Sequence, residues 1–182
     1  YSPLGLPTMG YKPRERFELD RIIPTENDTK FRKQIVHGDV HDPGAAMMGG
    51  VAGHAGLFSD ANDLGVLMQM YMQKGEYGGV KYIDSATVSE FIRCQYCVSN
   101  RRGVGFDKPE GNPDKESPVC DCVSLMSFGH SGFTGTLTWA DPESEIVYVF
   151  LSNRVYPDAE QNKLVKLGIR SAIQQVIYEV LR

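Results

Sequence analysis

One short stretch, residues 127–139, gathers small polar residues around a single histidine. Its centre, His130-Ser131-Gly132, could contact a ligand directly, because a glycine within a strand often marks the close approach of a ligand or of another backbone. Threonines then alternate with apolar residues, a pattern typical of a strand. We therefore expect a strand whose first half borders a cleft and whose second half lies in the core. The alternative is that His130 is a structural histidine.

A second run of small residues, from Gly44 to Phe58, surrounds His54. The run contains no Gly-Lys-Ser/Thr sequence and no dinucleotide fingerprint, which excludes the common phosphate loops. Small residues let one backbone approach another backbone or a ligand. His54 is therefore a candidate for lining a cleft, and the alternative is a hydrogen-bonded structural histidine. We interpret His37 and His41 as surface histidines.

Four cysteines form two closely spaced pairs, Cys94 with Cys97 and Cys120 with Cys122. Four thiolates can close a tetrahedral zinc site, whereas close pairs in an oxidising compartment form disulfides. Buried free thiols are the third possibility. The Cys-x-Cys spacing departs from the usual zinc pattern, so disulfides are favoured and zinc at these cysteines is kept as an alternative. No other cofactor is expected.

Length and charge limit the classes of function. The chain has 182 residues, enough for one domain with a sizeable core, and a net charge of −4. A nucleic-acid-binding surface would be basic, so we expect no nucleic-acid partner. No apolar run is long enough to span a membrane. The chain opens in a loop-like sequence without methionine, so we expect a piece of a longer polypeptide.

The pattern of the other segments predicts an α+β fold with one domain over residues 1–182. Prolines should keep residues 1–44 extended over a core formed elsewhere. Apolar spacing predicts three helices: Asp60–Lys74 capped by Ser59, a short helix from Ser85, and an amphipathic C-terminal helix over 164–181. Strands are expected at Gly103–Phe106, Phe128–Trp139 and Glu145–Ser152, the last buried on both faces. Residues 107–119 should form an exposed, mobile loop.

Three segments, taken in the order in which they occur along the chain, resemble the serine β-lactamase and penicillin-binding-protein superfamily, in its class C-related, esterase-like branch. His130-Ser131-Gly132 occupies the place of the Lys-Thr-Gly or His-x-Gly triplet at the edge of the active site. The glycine-rich run up to Ser59 and the Asp-Leu helix after it resemble the segments of that branch, as does Pro3-Leu4-Gly5-Leu6. A narrower likeness, carried by His41-Asp42-Pro43-Gly44-Ala45 through Ser59 and by Gly129 to Ser152, is to the β-lactamase-like domain fused to glycoside hydrolase family three β-N-acetylhexosaminidases of Bacteroidetes.

The chain departs from the family at two motifs. It contains neither the Ser-x-x-Lys that supplies nucleophile and base nor the Tyr-x-Asn or Ser-x-Asn motif. The resemblance therefore implies the C-terminal part of a catalytic domain, with both motifs and the other sheet strands before residue 1. The sheet should be incomplete, the fragment inactive alone, and its exposed surface prone to self-association.

The resemblance also implies roles for individual residues. Acyl transfer needs donors aimed at the oxyanion, and the Phe133 N–H would be one of them. His130 would touch the anionic group of the substrate or the base network, Ser131 would bind the same group, and Gly132 would allow its close approach. A β-lactam, a peptidoglycan-type peptide or an ester would fit, in the periplasm or cell envelope. The alternative is a non-catalytic relic that binds cell-wall peptide or braces a glycosidase.

Overall fold

The computed structural model describes residues 1–112, 114–160 and 162–181. These residues form strands and α-helices in mixed order, so the α+β prediction is confirmed. The strands are β1 (Pro24–Asp28), β2 (Gln34–His37), β3 (Glu76–Tyr77), β4 (Val80–Lys81), β5 (Phe128–Ser131), β6 (Leu137–Asp141) and β7 (Ile146–Phe150). The helices are α1 (Pro43–Met47), α2 (Ala61–Met72), α3 (Ser85–Ile92), α4 (Lys163–Lys166) and α5 (Ile169–Leu181).

The central sheet has three antiparallel strands in the order β5-β6-β7. Gly129 lies opposite Trp139, which in turn lies opposite Tyr148. β6 and β7 pair as an antiparallel hairpin, and the strand predicted at Glu145–Ser152 is confirmed as β7. The prediction that β7 is buried on both faces is wrong within the described sheet. Here β7 pairs with β6 alone, and Tyr148 is its one buried residue.

The stretch predicted as one strand, Phe128–Trp139, is two strands joined by a turn. Within the turn, Gly132 N–H donates to Thr136 O at 2.8 Å, and Gly135 N–H donates to Gly132 O at 3.0 Å. Gly135 has a φ of 108°, which L-residues with a side chain rarely adopt. The sequence analysis missed this turn because the residues on both sides of the turn do lie in strands and the threonines alternate with apolar residues.

The predicted strand Gly103–Phe106 is also absent from the described sheet. Gly103 N–H donates to Phe106 O within the segment at 3.0 Å, and Gly105 has a φ of 81°. The segment is therefore a turn. Its next residue, Asp107, forms an isolated antiparallel bridge with Gly129. That bridge fixes the turn against the outer edge of β5.

Helix α2 packs directly on one face of the sheet, and the prediction of a separate helical part is wrong. Met68 of α2 forms a buried cluster with Phe128 and Ala140. The N-cap is Asp60 rather than the predicted Ser59, because the Asp60 carboxylate accepts the Asp63 N–H at 2.9 Å. The helix itself lies where the apolar spacing predicts it.

The C-terminal helix covers the opposite face of the sheet. Ile177 of α5 packs against the buried cluster of Leu137, Trp139 and Tyr148, together with Val119. Gly168 separates α4 from α5, so the predicted continuous helix is two helices. The predicted apolar stripe is largely uncovered, because five of its residues are exposed: Leu167, Ile173, Val176, Val180 and Leu181.

The N-terminal segment is anchored to α2 by a buried carboxylate. Asp63 accepts hydrogen bonds from the Thr8 N–H and hydroxyl, each at 2.7 Å, and from the Met9 N–H at 3.1 Å. Asp63 is only 2% exposed. The predicted extended covering segment thus folds over the core, although it also forms the β1–β2 hairpin.

The segment 107–119 is a loop, as predicted, and residues 111–112 and 114–116 of it are exposed, but its two ends are not. Asp107, Lys108 and Val119 are all buried. The Lys108 ammonium donates to Met126 O at 2.9 Å. Pro113 of this segment lies outside the described residues. Two ends of the segment therefore belong to the core that supports β5.

Candidate acyl-transfer site

The predicted triplet lies at the outer edge of the sheet. His130 and Ser131 end β5, and Gly132 begins the turn to β6. His130 is exposed and pairs in register with Thr138 of β6. Residues paired across two strands point to the same face of a sheet, so the Thr138 hydroxyl lies beside His130. That hydroxyl is buried and has no hydrogen-bond partner among the described residues.

The His130 ring has two polar contacts. The His130 Nδ1 lies 2.8 Å from Ser131 O, which can only accept, and Nε2 lies 3.3 Å from the Arg102 Nη1, which can only donate. Both contacts can be hydrogen bonds when Nδ1 carries a proton and Nε2 accepts. The charged group at this edge of the site is the Arg102 guanidinium.

Two glycines bring the backbones together here. A Cβ on Gly129 would lie 2.1 Å from Thr138 O and 2.4 Å from the Trp139 ring. A Cβ on Gly132 would lie 2.4 Å from the Thr136 hydroxyl oxygen. The packing of the turn therefore favours glycine at position 132, in addition to the predicted role of this residue in admitting a substrate.

Phe133 presents its backbone N–H at the end of the triplet. Within the described residues, this N–H donates to no protein acceptor. The Phe133 ring is 64% exposed and lies between two side chains. The His41 ring centroid is 5.2 Å away, and the Arg154 guanidinium lies over the ring at 4.4 Å. An unpaired N–H beside the triplet could donate to a developing oxyanion.

Two arginines hold the turn that presents Phe133. Arg154 donates its backbone N–H to Thr134 O at 2.8 Å. The Arg170 guanidinium donates to Thr136 O at 3.1 Å and to Gly135 O at 3.4 Å. Burial, and then the charge of Arg154, lower the pKa of Arg170. Three turn carbonyls are thus engaged from outside, which orients the turn.

His54 contacts Asp42 rather than a residue of the triplet. The His54 Nε2 is 3.0 Å from the Asp42 carboxylate, which also caps α1 by accepting the Ala45 N–H at 2.7 Å. The Ala45 N–H and then the His54 ring lower the pKa of Asp42. His41, the residue before Asp42, contacts the Phe133 ring. A ligand role for His54 stays a prediction.

Three residues near the site escaped the sequence analysis: Arg102, Arg154 and His41. His41, predicted as a surface histidine, is half-buried and pairs with Glu26 at 3.3 Å as well as contacting Phe133. Each of these contacts joins distant parts of the chain, so no local pattern signals them. A cavity of about 460 Å³ lies beside Val40 and Gly50, and no triplet residue lines it.

The cysteines are paired as disulfides, Cys94 with Cys97 and Cys120 with Cys122. In the part of the chain that the structure describes, no three His, Cys, Asp or Glu side chains lie close enough to hold a metal. Nor does any described helix have the length and apolarity to cross a bilayer. The first disulfide lies in the loop that leads to Arg102.

A family model described as Beta-lactamase matches residues 2–169, and the chain belongs to this family. The family assignment agrees with the resemblance of the triplet and the glycine-rich run. The glycoside hydrolase fusion and the origin in Bacteroidetes stay predictions.

Relatives are found among carboxypeptidases. The chain is 36% identical over 176 residues to proteins of Salmonella typhi and Salmonella paratyphi B that carry the name "Putative D-alanyl-D-alanine carboxypeptidase". The match covers 90% of this chain and 40% of each relative. The chain therefore spans about two fifths of the length of these relatives.

A solved structure shows the same fold. A β-lactamase from Mycobacterium bovis matches with a TM-score of 0.50 and 18% identity, over 70% of this chain and 46% of that one. At this identity the likeness concerns the fold alone. The α+β architecture with a β-lactamase-like arrangement is thereby supported independently of the triplet.

Proposed function

We propose that this chain is the substrate-edge part of a serine hydrolase that works through an acyl-enzyme. Its His130-Ser131-Gly132 triplet and the Phe133 N–H would form one wall of the site. The serine nucleophile and its lysine base would come from residues outside 1–182. The relatives, which are more than twice as long as the match, support such an extension.

The observation that carries the proposal is the Phe133 N–H, which lies in the turn directly after the triplet and donates to no acceptor in the part of the chain that the structure describes. In acyl transfer a serine oxygen attacks the carbonyl carbon, and the carbonyl oxygen takes up negative charge. A preorganised N–H stabilises that charge, and loss of one such donor lowers kcat by about 10²–10³-fold. Arg154 and Arg170 hold the turn, so the N–H is fixed before the substrate arrives.

The name of the relatives favours a peptide ending in D-alanyl-D-alanine as substrate, with β-lactams and short esters as further acyl donors. Such a substrate would place the protein in the periplasm or cell envelope, where the two disulfides could persist. A fusion to a glycoside hydrolase would fit the same compartment. These finer features belong to the proposal.

The free edge of β7 supports the idea that further chain completes the sheet. An unpaired edge of apolar residues is a site for pairing with another strand. We propose that upstream residues of the same polypeptide pair there. Without them the 182-residue chain should self-associate through this edge and the exposed face of α5.

The experiment compares the 182-residue chain with a chain extended upstream through its Ser-x-x-Lys motif. Release of D-alanine from N-acetyl-L-lysyl-D-alanyl-D-alanine, and hydrolysis of nitrocefin and a p-nitrophenyl ester, are measured for both. We expect saturable activity in the long form alone, lost when its motif serine is changed to alanine. Activity of the short form that is abolished by His130→Ala would overturn the proposal. Inactivity of both forms would favour the non-catalytic alternative.

A further inference from the structure

One of the two disulfides lies at the surface, and the other lies against the core. Cys97 is exposed, whereas Cys120 is only 7% exposed and Cys122 is half-buried. A thiolate must reach one sulfur of a disulfide to reduce it, so access decides which pair reacts. We propose that the Cys94–Cys97 disulfide is a thiol–disulfide exchange site for a dithiol reductant, and that its opening alters the triplet edge at His130.

The second disulfide is protected by the packing around it. Cys120 follows Val119, a member of the buried cluster on the α5 side of the sheet, and Val123 packs against that cluster. The Cys120 N–H donates to the Gln174 side chain of α5 at 3.2 Å. The two disulfides close short stretches, with sequence separations of 3 and 2, so the entropy of loop closure differs little between them. Burial is the property that separates the two bonds.

The exposed disulfide lies at the tip of a short turn after α3. Tyr96 and Asn100 form an isolated antiparallel bridge, and the Asn100 N–H donates to Tyr96 O at 2.8 Å. Cys97 lies within this turn, and Cys94 lies just before it. Beside Cys97, Tyr96 is 72% exposed and Val98 is fully exposed. A small dithiol or the surface of a dithiol protein can therefore approach the Cys97 sulfur.

The exchange transfers two electrons from the dithiol to the disulfide. A thiolate of the dithiol attacks the Cys97 Sγ, the S–S bond breaks, and its electron pair leaves on the Cys94 Sγ. The second thiol of the reductant attacks the mixed disulfide, which frees Cys97 and oxidises the reductant to its own disulfide. The two protons of the dithiol end on the two cysteines. The Cys94 Sγ lies 3.7 Å from Asn100 O, so the thiol formed there could donate to that carbonyl.

The disulfide constrains the loop that leads to Arg102. Gln95, which lies between the two cysteines, donates its backbone N–H to Arg102 O at 3.0 Å. The Asn100 side chain accepts the Arg102 N–H at 3.2 Å. Arg102 in turn holds its Nη1 3.3 Å from the His130 Nε2. Opening of the disulfide frees the turn on which these bonds depend, and the change reaches His130 through Arg102.

The test reduces the folded 182-residue chain with dithiothreitol and identifies the new thiols by alkylation and mass spectrometry. We expect Cys94 and Cys97 to be labelled about 10²-fold or more faster than Cys120 and Cys122, because the protected pair reacts only after the structure opens. In urea-unfolded protein the two pairs should react at similar rates. A second arm uses reduced thioredoxin, and Val98→Ser identifies the source of the dithiol: slowing of thioredoxin alone indicates a protein, and unchanged rates in both arms indicate a small molecule.

The readout at the triplet is the ¹⁵N–¹H signal of the His130 backbone, which we expect to shift on reduction. The double variant Cys94→Ser/Cys97→Ser should show the shifted signal without reductant, and dithiothreitol should not move it further. Equal labelling of the two pairs in the folded chain, or no reduction of the exposed pair, would overturn the exchange site. An unmoved His130 signal in the reduced chain would overturn the coupling to the triplet, even if the double variant does not fold. Neither result depends on the proposed acyl transfer, which the assays of the extended chain judge separately.

Discussion

The closest backbone approach at the site makes Gly129 the sharpest position for a stability test. A Cβ there would lie 2.1 Å from the backbone oxygen of Thr138 and 2.4 Å from the Trp139 ring. Thr138 O and the Trp139 Cα, which would lie 2.8 Å away, are backbone atoms of the paired strand, so rotation of a side chain cannot relieve these two clashes. Overpacking of a core costs about 1–3 kcal/mol, and we expect Gly129→Ala at the upper end, about 3 kcal/mol.

Gly65 is the matched control. It lies within α2, and an added Cβ would meet no atom within 4 Å. Alanine in place of a helix-interior glycine stabilises by about 0.5–1 kcal/mol. The same substitution should therefore have opposite signs at the two positions, with a difference of about 4 kcal/mol, or roughly a thousandfold in the unfolding equilibrium constant.

Urea unfolding followed by the fluorescence of Trp139 measures both variants, because the chain has one tryptophan and it is buried. With an m-value of about 2 kcal/mol/M, Gly129→Ala should lower the midpoint by roughly 1.5 M. Circular dichroism provides a second probe away from the substitution. A Gly129→Ala midpoint equal to that of the unchanged chain would show that β5 and β6 do not pair in this register.

Three further outcomes are expected. Asp63→Asn should lower the free energy of unfolding by about 2–4 kcal/mol in urea, because two partly buried donors of Thr8 and the buried Met9 N–H lose their carboxylate acceptor; Asp20→Asn, on the surface, should change it little. Burial lowers the pKa of Lys108 to about 8, with Asp141 opposing, from 10.5. The folded state then binds fewer protons than the unfolded state, so stability should rise between pH 8 and 10.5, and Lys108→Met should flatten that rise; an unchanged slope would contradict the burial. Thiol titration of the unfolded protein without reductant should find no free thiol, because the four cysteines form two disulfides. Elemental analysis tests the zinc alternative. Four titratable thiols without metal would contradict both the disulfides and the zinc site.

Local patterns predicted the elements whose signals are local. The α2 helix, the α3 helix and the β6–β7 hairpin follow from apolar spacing, caps and a Pro-containing turn. The turn inside 128–139 escaped because threonines alternate with apolar residues on its far side and glycines are also found in strands. The strand prediction for Gly103–Phe106 was wrong because the two glycines of this segment favour a turn. The backbone hydrogen bond that closes the turn cannot be inferred from composition.

The role of the triplet stays a prediction, and the sequence analysis did not foresee the residues that surround it. His130, Ser131, Gly132 and Phe133 are adjacent in sequence, so one motif places all four. Arg102 contacts His130 across 28 residues of chain, and that contact depends on where Asp107 meets the sheet edge. The positive charge beside the triplet could therefore not be predicted from the motif, because the Arg102 guanidinium belongs to a different loop.

The acylation rate of the extended chain tests the central claim most directly. Phe133→Pro removes the N–H that we assign to the oxyanion, whereas Phe133→Ala keeps it and removes only the ring contacts with His41 and Arg154. With penicillin as acyl donor and mass spectrometry to follow the adduct, we expect the proline variant to acylate about 10²–10³-fold more slowly than the alanine variant. Equal acylation rates in two folded variants would contradict the claim that Phe133 supplies an oxyanion donor.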